Sequence, residues 1–193
     1  MRVAVTGTPG TGKTSATEAF ERGVADAFVG DGVDEVDDSE VIHLNDHVGT
    51  DRLYTGVDES RESLIADLDG IEAWLDEREN AEDRKEAETL LVESHLAHLL
   101  PADRVVVLRC HPEELTRRLS ERGVKKSKAS ENAESEALDT VLSEAVSRHG
   151  TESVYEVDTI DRTPTEVGEA IAAVVAGERA PSAGTVSYLE YFE

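Results

Sequence analysis

Cysteine, lysine and aromatic residues are scarce in this chain of 193 residues, and the scarcity limits what it can be. The single Cys110 cannot form a disulfide within the chain, which excludes a disulfide-held fold and fits a reducing compartment. No apolar run reaches the roughly 18 residues that a membrane-spanning helix requires. A strand-like run begins at residue 2, leaving no segment ahead of it for a signal peptide. We therefore expect a cytoplasmic protein without membrane contact.

Positive charge is also in short supply. The chain has 43 acidic and 19 basic residues, a net charge of −24, and its acidic residues are spread over its whole length. A surface of this kind stays hydrated where salt screens its self-repulsion, so we expect a protein adapted to a salty cytoplasm. Bare DNA or RNA would be repelled, whereas a basic protein partner would be electrostatically complementary.

The most informative motif is Gly-Thr-Pro-Gly-Thr-Gly-Lys-Thr at residues 7–14, which fits the P-loop pattern Gly-x-x-x-x-Gly-Lys-[Ser/Thr]. It follows the apolar run Val3–Val5 and precedes a helix-compatible stretch, the strand–loop–helix context that the motif needs. Such a loop presents backbone N–H groups to phosphate oxygens at a helix N-terminus. The motif predicts a site for ATP and Mg²⁺, and the residues expected to form it are Gly10, Gly12, Lys13, Thr14 and Ser15.

Strand-like and helix-like segments alternate along the chain, which favours a parallel sheet with helices on both faces. The predicted strands are Val3–Thr6, Val41–Leu44, Thr89–Glu93, Val105–Arg109 and Val154–Val157. The predicted helices are Gly12–Arg22, Pro112–Arg122, Ser130–Arg148 and Pro164–Ala176. Helical spacing also occurs within 64–78, where Asp67 could cap a helix that follows a short extended piece. The segment Asp26–Glu40 reads as an acidic loop or helix extension.

Two further segments carry candidate functional residues. The apolar strand Thr89–Glu93 ends in a carboxylate at the position where P-loop enzymes organise Mg²⁺, and His95 follows it. Residues 117–128 hold six cations against one acid, Glu121. In so acidic a chain this basic block predicts either a lid that closes on phosphates or a solvated helix face. The aromatic residues in 180–193 favour docking of this tail over a disordered end.

Taken in order, the motifs resemble the archaeal and eukaryotic adenylate kinases of the isoenzyme-six type, the coilin-interacting nuclear ATPase family. The resemblance runs over about 1–177, and a haloarchaeal member is expected. The matching stretches are Thr6–Thr14, Leu44–Asp46 with Leu53–Asp58, Glu93–His95, Arg118–Gly123 continuing into Glu131–Glu134, and Glu156–Thr159 with Thr163–Pro164.

The resemblance implies a three-layer P-loop nucleoside monophosphate kinase fold, a parallel five-stranded sheet with helices on both faces. It places the domain at 1–179, with a monophosphate-binding segment at about 43–66, a lid at about 120–132 and a tail at 180–193. The implied reaction is ATP + AMP ⇌ 2 ADP with Mg²⁺, with other nucleoside monophosphates as possible acceptors and ATP hydrolysis alongside. A role in maturation of the small ribosomal subunit, through a platform ribosomal protein, is implied as well.

Roles carried over by position complete the expected site. Arg122 matches the lid arginine that crosses the phosphates, and His95 the histidine that positions the acceptor or a water. Arg162 lies in the loop expected beside the adenine, and Thr14 with Glu93 would hold the metal. Asp46 and Arg52 would bind the acceptor, although Gly49 stands where the family has an arginine, and Glu93 where aspartate is common.

Alternatives from the residues themselves remain open. Arg122 could be a helix-terminal cation stabilised by the helix dipole, and His95 could make a structural hydrogen bond. The function could also be that of a ribosome-assembly ATPase with secondary kinase activity, or of a kinase for a small molecule that is not a nucleotide. Dependence of ADP production on AMP separates these functions.

Overall fold

The computed structural model describes residues 1–27, 39–59, 63–80 and 89–192. Its centre is a five-stranded, fully parallel sheet with the strand order β2-β5-β1-β6-β7. The strands of this sheet are β1 (Arg2–Thr6), β2 (Ser39–His43), β5 (Thr89–Glu93), β6 (Arg104–Arg109) and β7 (Val154–Asp158). All residues of β1 and β5 are buried, as expected for strands covered on both faces.

Helices pack on both faces of the sheet and bury alternate residues of each strand. The helices are α1 (Lys13–Ala27), α2 (Leu44–Thr50), α3 (Leu68–Glu79), α4 (Pro112–Glu121), α5 (Lys126–Ala137), α6 (Thr140–His149) and α7 (Pro164–Val175). Val3 and Val5 face α1 and α7, whereas Ala4 between them faces α3 and α6. The predicted fold class, a five-stranded parallel sheet with helices on both faces, is therefore confirmed. The carboxyl ends of its strands meet at one edge, and the P-loop lies at that edge.

One helix prediction was wrong. The segment Ser130–Arg148 was expected to be a single helix, but α5 ends at Ala137 and α6 begins at Thr140. Asp139 between them adopts a left-handed conformation with φ of 54°. Its carboxylate accepts a hydrogen bond from Arg109 Nη2, a contact with a distant strand that helical periodicity does not reveal. The helical segment is therefore interrupted at the residue that contacts the buried Arg109.

The expected monophosphate-binding segment, 43–66, contains α2 and a separate antiparallel hairpin of β3 (Tyr54–Asp58) and β4 (Ser63–Ala66). The sequence indicated only a short extended piece here. The helix after it is confirmed, with Asp67 as N-cap accepting from Gly70 N at 3.1 Å. Strands of four or five residues with both faces polar or exposed give a weak periodic signal.

The C-terminal tail docks onto the domain, as its aromatic content favoured. Tyr188 is buried and its hydroxyl donates to Asp158 Oδ1 at 3.1 Å, whereas Leu189 and Phe192 are exposed. Within the segment Asp26–Glu40, residues 28–38 lie outside the described residues. No helix in the described ranges is long and apolar enough to cross a membrane.

Candidate functional site

The P-loop connects β1 to α1 and depends on glycine where the chain approaches its neighbours. Gly7 has φ of 141°, and a Cβ there would lie 2.5 Å from the carbonyl oxygen of Leu108. Gly10 has φ of 100°, and a Cβ would lie 3.1 Å from Leu119 Cγ. A side chain at Gly7 would clash with backbone and strain the loop. The loop therefore packs tightly against the end of β6 and against α4.

Lys13 is buried beneath this loop. Its ammonium group donates to the Gly7 carbonyl oxygen at 2.8 Å and to the Thr8 carbonyl oxygen at 3.2 Å. Burial lowers the pKa of Lys13 to about 8, against the opposing effect of the Glu93 and Glu136 carboxylates, while Arg122 lowers it further. A desolvated ammonium surrounded by carbonyl groups is a strong candidate for contact with an entering anion.

Thr14 and Glu93 lie together at the carboxyl edge of the sheet. Thr14 Oγ1 donates to Glu93 Oε2 at 3.4 Å, and His43 Nδ1 lies 2.9 Å from the same oxygen. Glu93 is buried, so its carboxylate faces this cluster rather than bulk water. A hydroxyl and a carboxylate side by side are the oxygen donors that Mg²⁺ prefers, and these residues fit such an ion.

His95 lies two residues after Glu93, and it is exposed. Its partial burial, followed by the charges of Lys13, His98 and Lys128, lowers the pKa of His95 to about 4. The imidazole is therefore neutral near pH 7. The backbone of His95 is tied to the end of β1, just before the loop, because Thr6 Oγ1 donates to the His95 carbonyl oxygen at 3.4 Å.

Arginines line an open cleft on the other side of the loop. The lining residues are Gly10, Thr11, Gly12, Ser15, Ala16, Arg118, Arg122, Thr159, Arg162, Pro164 and Val167. Arg118 is fixed by Glu114 Oε1 at 2.8 Å. Among the described residues, Arg122 and Arg162 form no ion pair with a carboxylate, and both are exposed at the rim. Two cations are thus available to an anionic ligand in the cleft.

Only part of the basic block 117–128 faces this cleft. Arg117 points away and pairs with Glu114 and Glu121 on the exposed side of α4. The block spans the end of α4, a short connection and the start of α5. Its Arg118 and Arg122 line the cleft, while Lys128 is close enough to affect His95.

The two expected acceptor residues belong to a segment separate from the P-loop. Asp46 and Arg52 are both exposed, on α2 and just after it, and Arg52 has φ of 59°. In the ranges that the structure covers, neither side chain forms a hydrogen bond or an ion pair with the loop. Direct contacts therefore link Thr14 to Glu93 on the phosphate side, but none of the described contacts links Asp46 or Arg52 to them.

Sequence reasoning missed Glu136, Arg109 and Thr8 as residues of the site. Glu136 is buried, and its carboxylate accepts from Thr8 Oγ1 inside the P-loop and from Arg109 Nε at 2.7 Å. One signal was present, because Arg109 ends an apolar strand, and a buried cation requires buried carboxylates. In a chain with 43 acidic residues, the partner could not be singled out.

Known proteins share both the sequence and the architecture. A family model described as an AAA domain matches residues 3–139. The chain is 53% identical over 191 residues to a Natronomonas pharaonis protein named "Putative adenylate kinase", covering 99% of both chains. A protein of the same name from Methanosarcina acetivorans is 36% identical, over 91% of this chain and 86% of its own.

Among solved structures, shikimate kinase from Bacteroides thetaiotaomicron aligns with a TM-score of 0.52 at 16% identity, over 92% of this chain and 98% of its own. At that identity the likeness concerns the fold alone, and it identifies a P-loop kinase fold. The sequence matches extend over nearly the whole chain and include haloarchaeal relatives. The chain therefore belongs to the archaeal family whose curated members carry the name "Putative adenylate kinase".

Proposed function

We propose that the protein is an adenylate kinase that transfers the γ-phosphoryl group of ATP to AMP or to another nucleoside monophosphate. The observation that carries the proposal is the buried Lys13 ammonium inside a glycine-shaped loop, with Thr14 and Glu93 on one side and the cleft arginines, Arg118, Arg122 and Arg162, on the other. This is the charge arrangement that phosphoryl transfer requires, because the reaction depends on positioning and on neutralising the phosphates. The names of the relatives support the same activity.

The triphosphate would lie along the backbone N–H groups of the loop, at the N-terminus of α1. Lys13 would exchange its carbonyl partners for phosphate oxygens, and Ser15 would donate to the α-phosphate. The base and ribose would occupy the cleft, against the apolar Ala16 and Val167 and beside Arg162. Arg122, at the end of α4, would reach the transferring group from the opposite side.

Magnesium fits the pair formed by Thr14 and Glu93. Thr14 would supply a hydroxyl oxygen, and the buried Glu93 carboxylate would hold the ion directly or through water. When bound there, the ion would supply positive charge that neutralises part of the charge on the phosphates. His43, within hydrogen-bond distance of Glu93, would keep that carboxylate oriented.

The acceptor would enter from the side of α2 and the β3–β4 hairpin, with Asp46 and Arg52 as its binding residues. An oxygen of the AMP phosphate attacks the γ-phosphorus of ATP, and the bond from that phosphorus to the β–γ bridging oxygen breaks, which leaves two molecules of ADP. No proton needs to be removed from an ionised phosphate. A neutral His95 can accordingly orient the acceptor without adding charge.

A second activity, ATP hydrolysis, has one supporting observation. His95 is neutral, partly exposed and next to the loop, so it could orient a water where the acceptor phosphate would otherwise lie. A role in maturation of the small ribosomal subunit stays a prediction that rests on the family resemblance.

A coupled assay in concentrated KCl with Mg²⁺, run with a panel of nucleoside monophosphates, tests the proposal. AMP-dependent formation of two ADP per ATP consumed is the expected result. ATP loss that is indifferent to every monophosphate would replace the kinase with an ATPase. For substitutions of the cleft arginines, such as Arg122→Ala, the exposed Arg148 on α6 offers a control that removes the same charge. Arg148→Ala should leave the rate unchanged.

A further inference from the structure

A buried carboxylate reaches the P-loop from the helix that follows the basic block. Glu136, on α5, accepts a hydrogen bond from Thr8 Oγ1. Both residues are almost fully buried, so water cannot take the place of either partner. Loss of this bond would leave a buried charge short of a donor, which is costly in a protein interior.

Thr8 is the residue whose backbone anchors the rest of the loop. Its carbonyl oxygen accepts from Thr11 Oγ1 at 2.9 Å, from Thr11 N at 3.2 Å and from Lys13 Nζ at 3.2 Å. Together with the Gly7 carbonyl oxygen, which accepts from Lys13 Nζ at 2.8 Å, Thr8 therefore sets where the Lys13 ammonium lies. Glu136 is linked to the phosphate-binding lysine by hydrogen bonds through Thr8, in addition to the direct effect of its charge.

Glu136 is itself fixed by Arg109, a fully buried guanidinium. Arg109 donates to Glu136 Oε1 at 2.7 Å, to Asp139 and to Glu156. Burial alone would lower the pKa of Arg109, but Glu136 and Asp139 raise it above its ordinary value. Three carboxylates around one cation leave an excess of negative charge, so the network needs additional donors to persist in the interior.

The C-terminal tail supplies those donors. The second oxygen of Glu156 accepts from Thr185 N at 2.6 Å, from Thr185 Oγ1 at 3.2 Å and from Val186 N at 3.3 Å. The Tyr188 ring lies 5.4 Å from Arg109 Cζ and covers the guanidinium. A continuous chain of hydrogen bonds thus runs from the tail through Glu156, Arg109 and Glu136 to the P-loop.

We propose that the tail segment 182–188 fixes the geometry of the P-loop through this chain, with Arg109, Glu136 and Thr8 as positioning residues for ATP binding. The proposal rests on the proposed function only in that ATP is the ligand of the loop. Coupling between sites in proteins typically changes affinity by about 5- to 150-fold. A docked tail would therefore tighten ATP binding, and release of the tail would weaken it.

The first test replaces the Thr8 hydroxyl while keeping its volume. Thr8→Val removes the donor to Glu136, whereas Thr8→Ser retains it. Calorimetry with Mg·ATP should show a dissociation constant raised about fivefold or more in Thr8→Val and restored to within about twofold in Thr8→Ser. In the kinase assay the KM for ATP should rise and the KM for AMP should not. A purely structural role would lower the melting temperature without this split.

The second test asks whether the tail acts through Thr8. A chain that ends at Ala180 should bind Mg·ATP about fivefold more weakly or worse, and this effect should vanish when Thr8→Val is already present. Phe192→Ala, an exposed change in the same tail, is the control and should bind normally. If the shortened chain does not fold, Thr185→Pro, which removes the Thr185 N–H and hydroxyl donors, takes its place under the same criterion.

The outcomes separate this inference from the proposed function. Wild-type binding of ATP without AMP-dependent ADP formation would reject the kinase and leave the calorimetric test intact. Normal ATP binding in Thr8→Val or in the tail variant would overturn the inference, even with full kinase activity. Effects of the two changes that simply multiply would overturn it as well.

Discussion

The two halves of the proposed site differ in how they are held. The donor half comprises the P-loop, α4, α5 and the start of α7, and beneath it buried ion pairs join Arg109 on β6 to Glu136 on α5 and to Glu156 on β7. The acceptor half, which comprises α2 and the β3–β4 hairpin, presents apolar side chains to solvent, with Val57 59% and Ile65 49% exposed. Its charged residues, Asp46 and Arg52, are exposed too.

This difference indicates which half of the site must become ordered when its ligand binds. A preorganised donor site avoids most of the entropic cost of ordering side chains around the triphosphate. An exposed hairpin with unpacked apolar residues gains more from closing over a second ligand. ATP binding should therefore depend little on the acceptor half, whereas turnover should depend on both halves.

We expect the largest effect from removal of Lys13, the central cation of the donor half. Lys13→Ala should lower the rate of phosphoryl transfer by about 10³-fold, because no other buried ammonium faces the transferring phosphates in the described site. The coupled assay measures this loss, with a melting curve to show that the fold persists. A loss of less than about tenfold would place the chemistry elsewhere.

A rim cation should matter somewhat less to binding than to rate. Arg122→Ala removes a guanidinium that lies at the edge of the cleft and pairs with no carboxylate of the described residues, and should lower kcat by about 10²- to 10³-fold. The dissociation constant of Mg·ATP should change far less, because Lys13 and the loop remain. A raised dissociation constant with an unchanged kcat would instead make Arg122 a contact that binds the ground state and the transition state equally.

The pH dependence of ATP binding sharpens the assignment of Lys13. Its pKa is lowered to about 8 by burial, so the free protein loses the ammonium as the pH rises through 8. Binding then requires uptake of a proton, and affinity should fall by up to about tenfold per pH unit above 8. Titrations from pH 6 to 10 measure this slope. Lys13→Arg keeps its charge over that range, so its affinity for ATP should change little with pH.

The smallest effect should come from the acceptor half. Arg52→Asn removes a cation while tolerating the left-handed backbone at this position, where φ is 59°. The KM for AMP should rise about tenfold, consistent with loss of one charge-assisted hydrogen bond. The affinity for ATP should be unaffected. A change in ATP affinity instead would show that the two halves are coupled and would break the comparison.

How much of this could be predicted from the sequence follows the same division. The P-loop, the Glu93 strand end and the strand-helix alternation depend on local patterns, and the structure places them as expected. The β3–β4 hairpin was missed because its strands are short and do not bury one face. Local sequence patterns therefore predict the features that form within a single strand, loop or helix.

Contacts between distant segments account for the rest. The break between α5 and α6 depends on Arg109 holding Asp139, and the link from Glu136 to Thr8 joins positions 128 residues apart. No spacing rule identifies which carboxylates of an acidic chain will surround a buried arginine. Docking of the tail was favoured by its aromatic residues, but two of its three hydrogen bonds to the second oxygen of Glu156 come from backbone N–H groups, which no sequence pattern singles out.

The central claim is that the loop after β1 binds the phosphates of ATP through Lys13. Calorimetry of Mg·ATP binding to the wild-type chain and to Lys13→Ala, in concentrated KCl at pH 7, tests it most directly. The account predicts saturable one-to-one binding to the wild-type protein and a large loss of affinity in the variant. Absence of binding to the folded wild-type chain, or equal binding by both proteins, would contradict it.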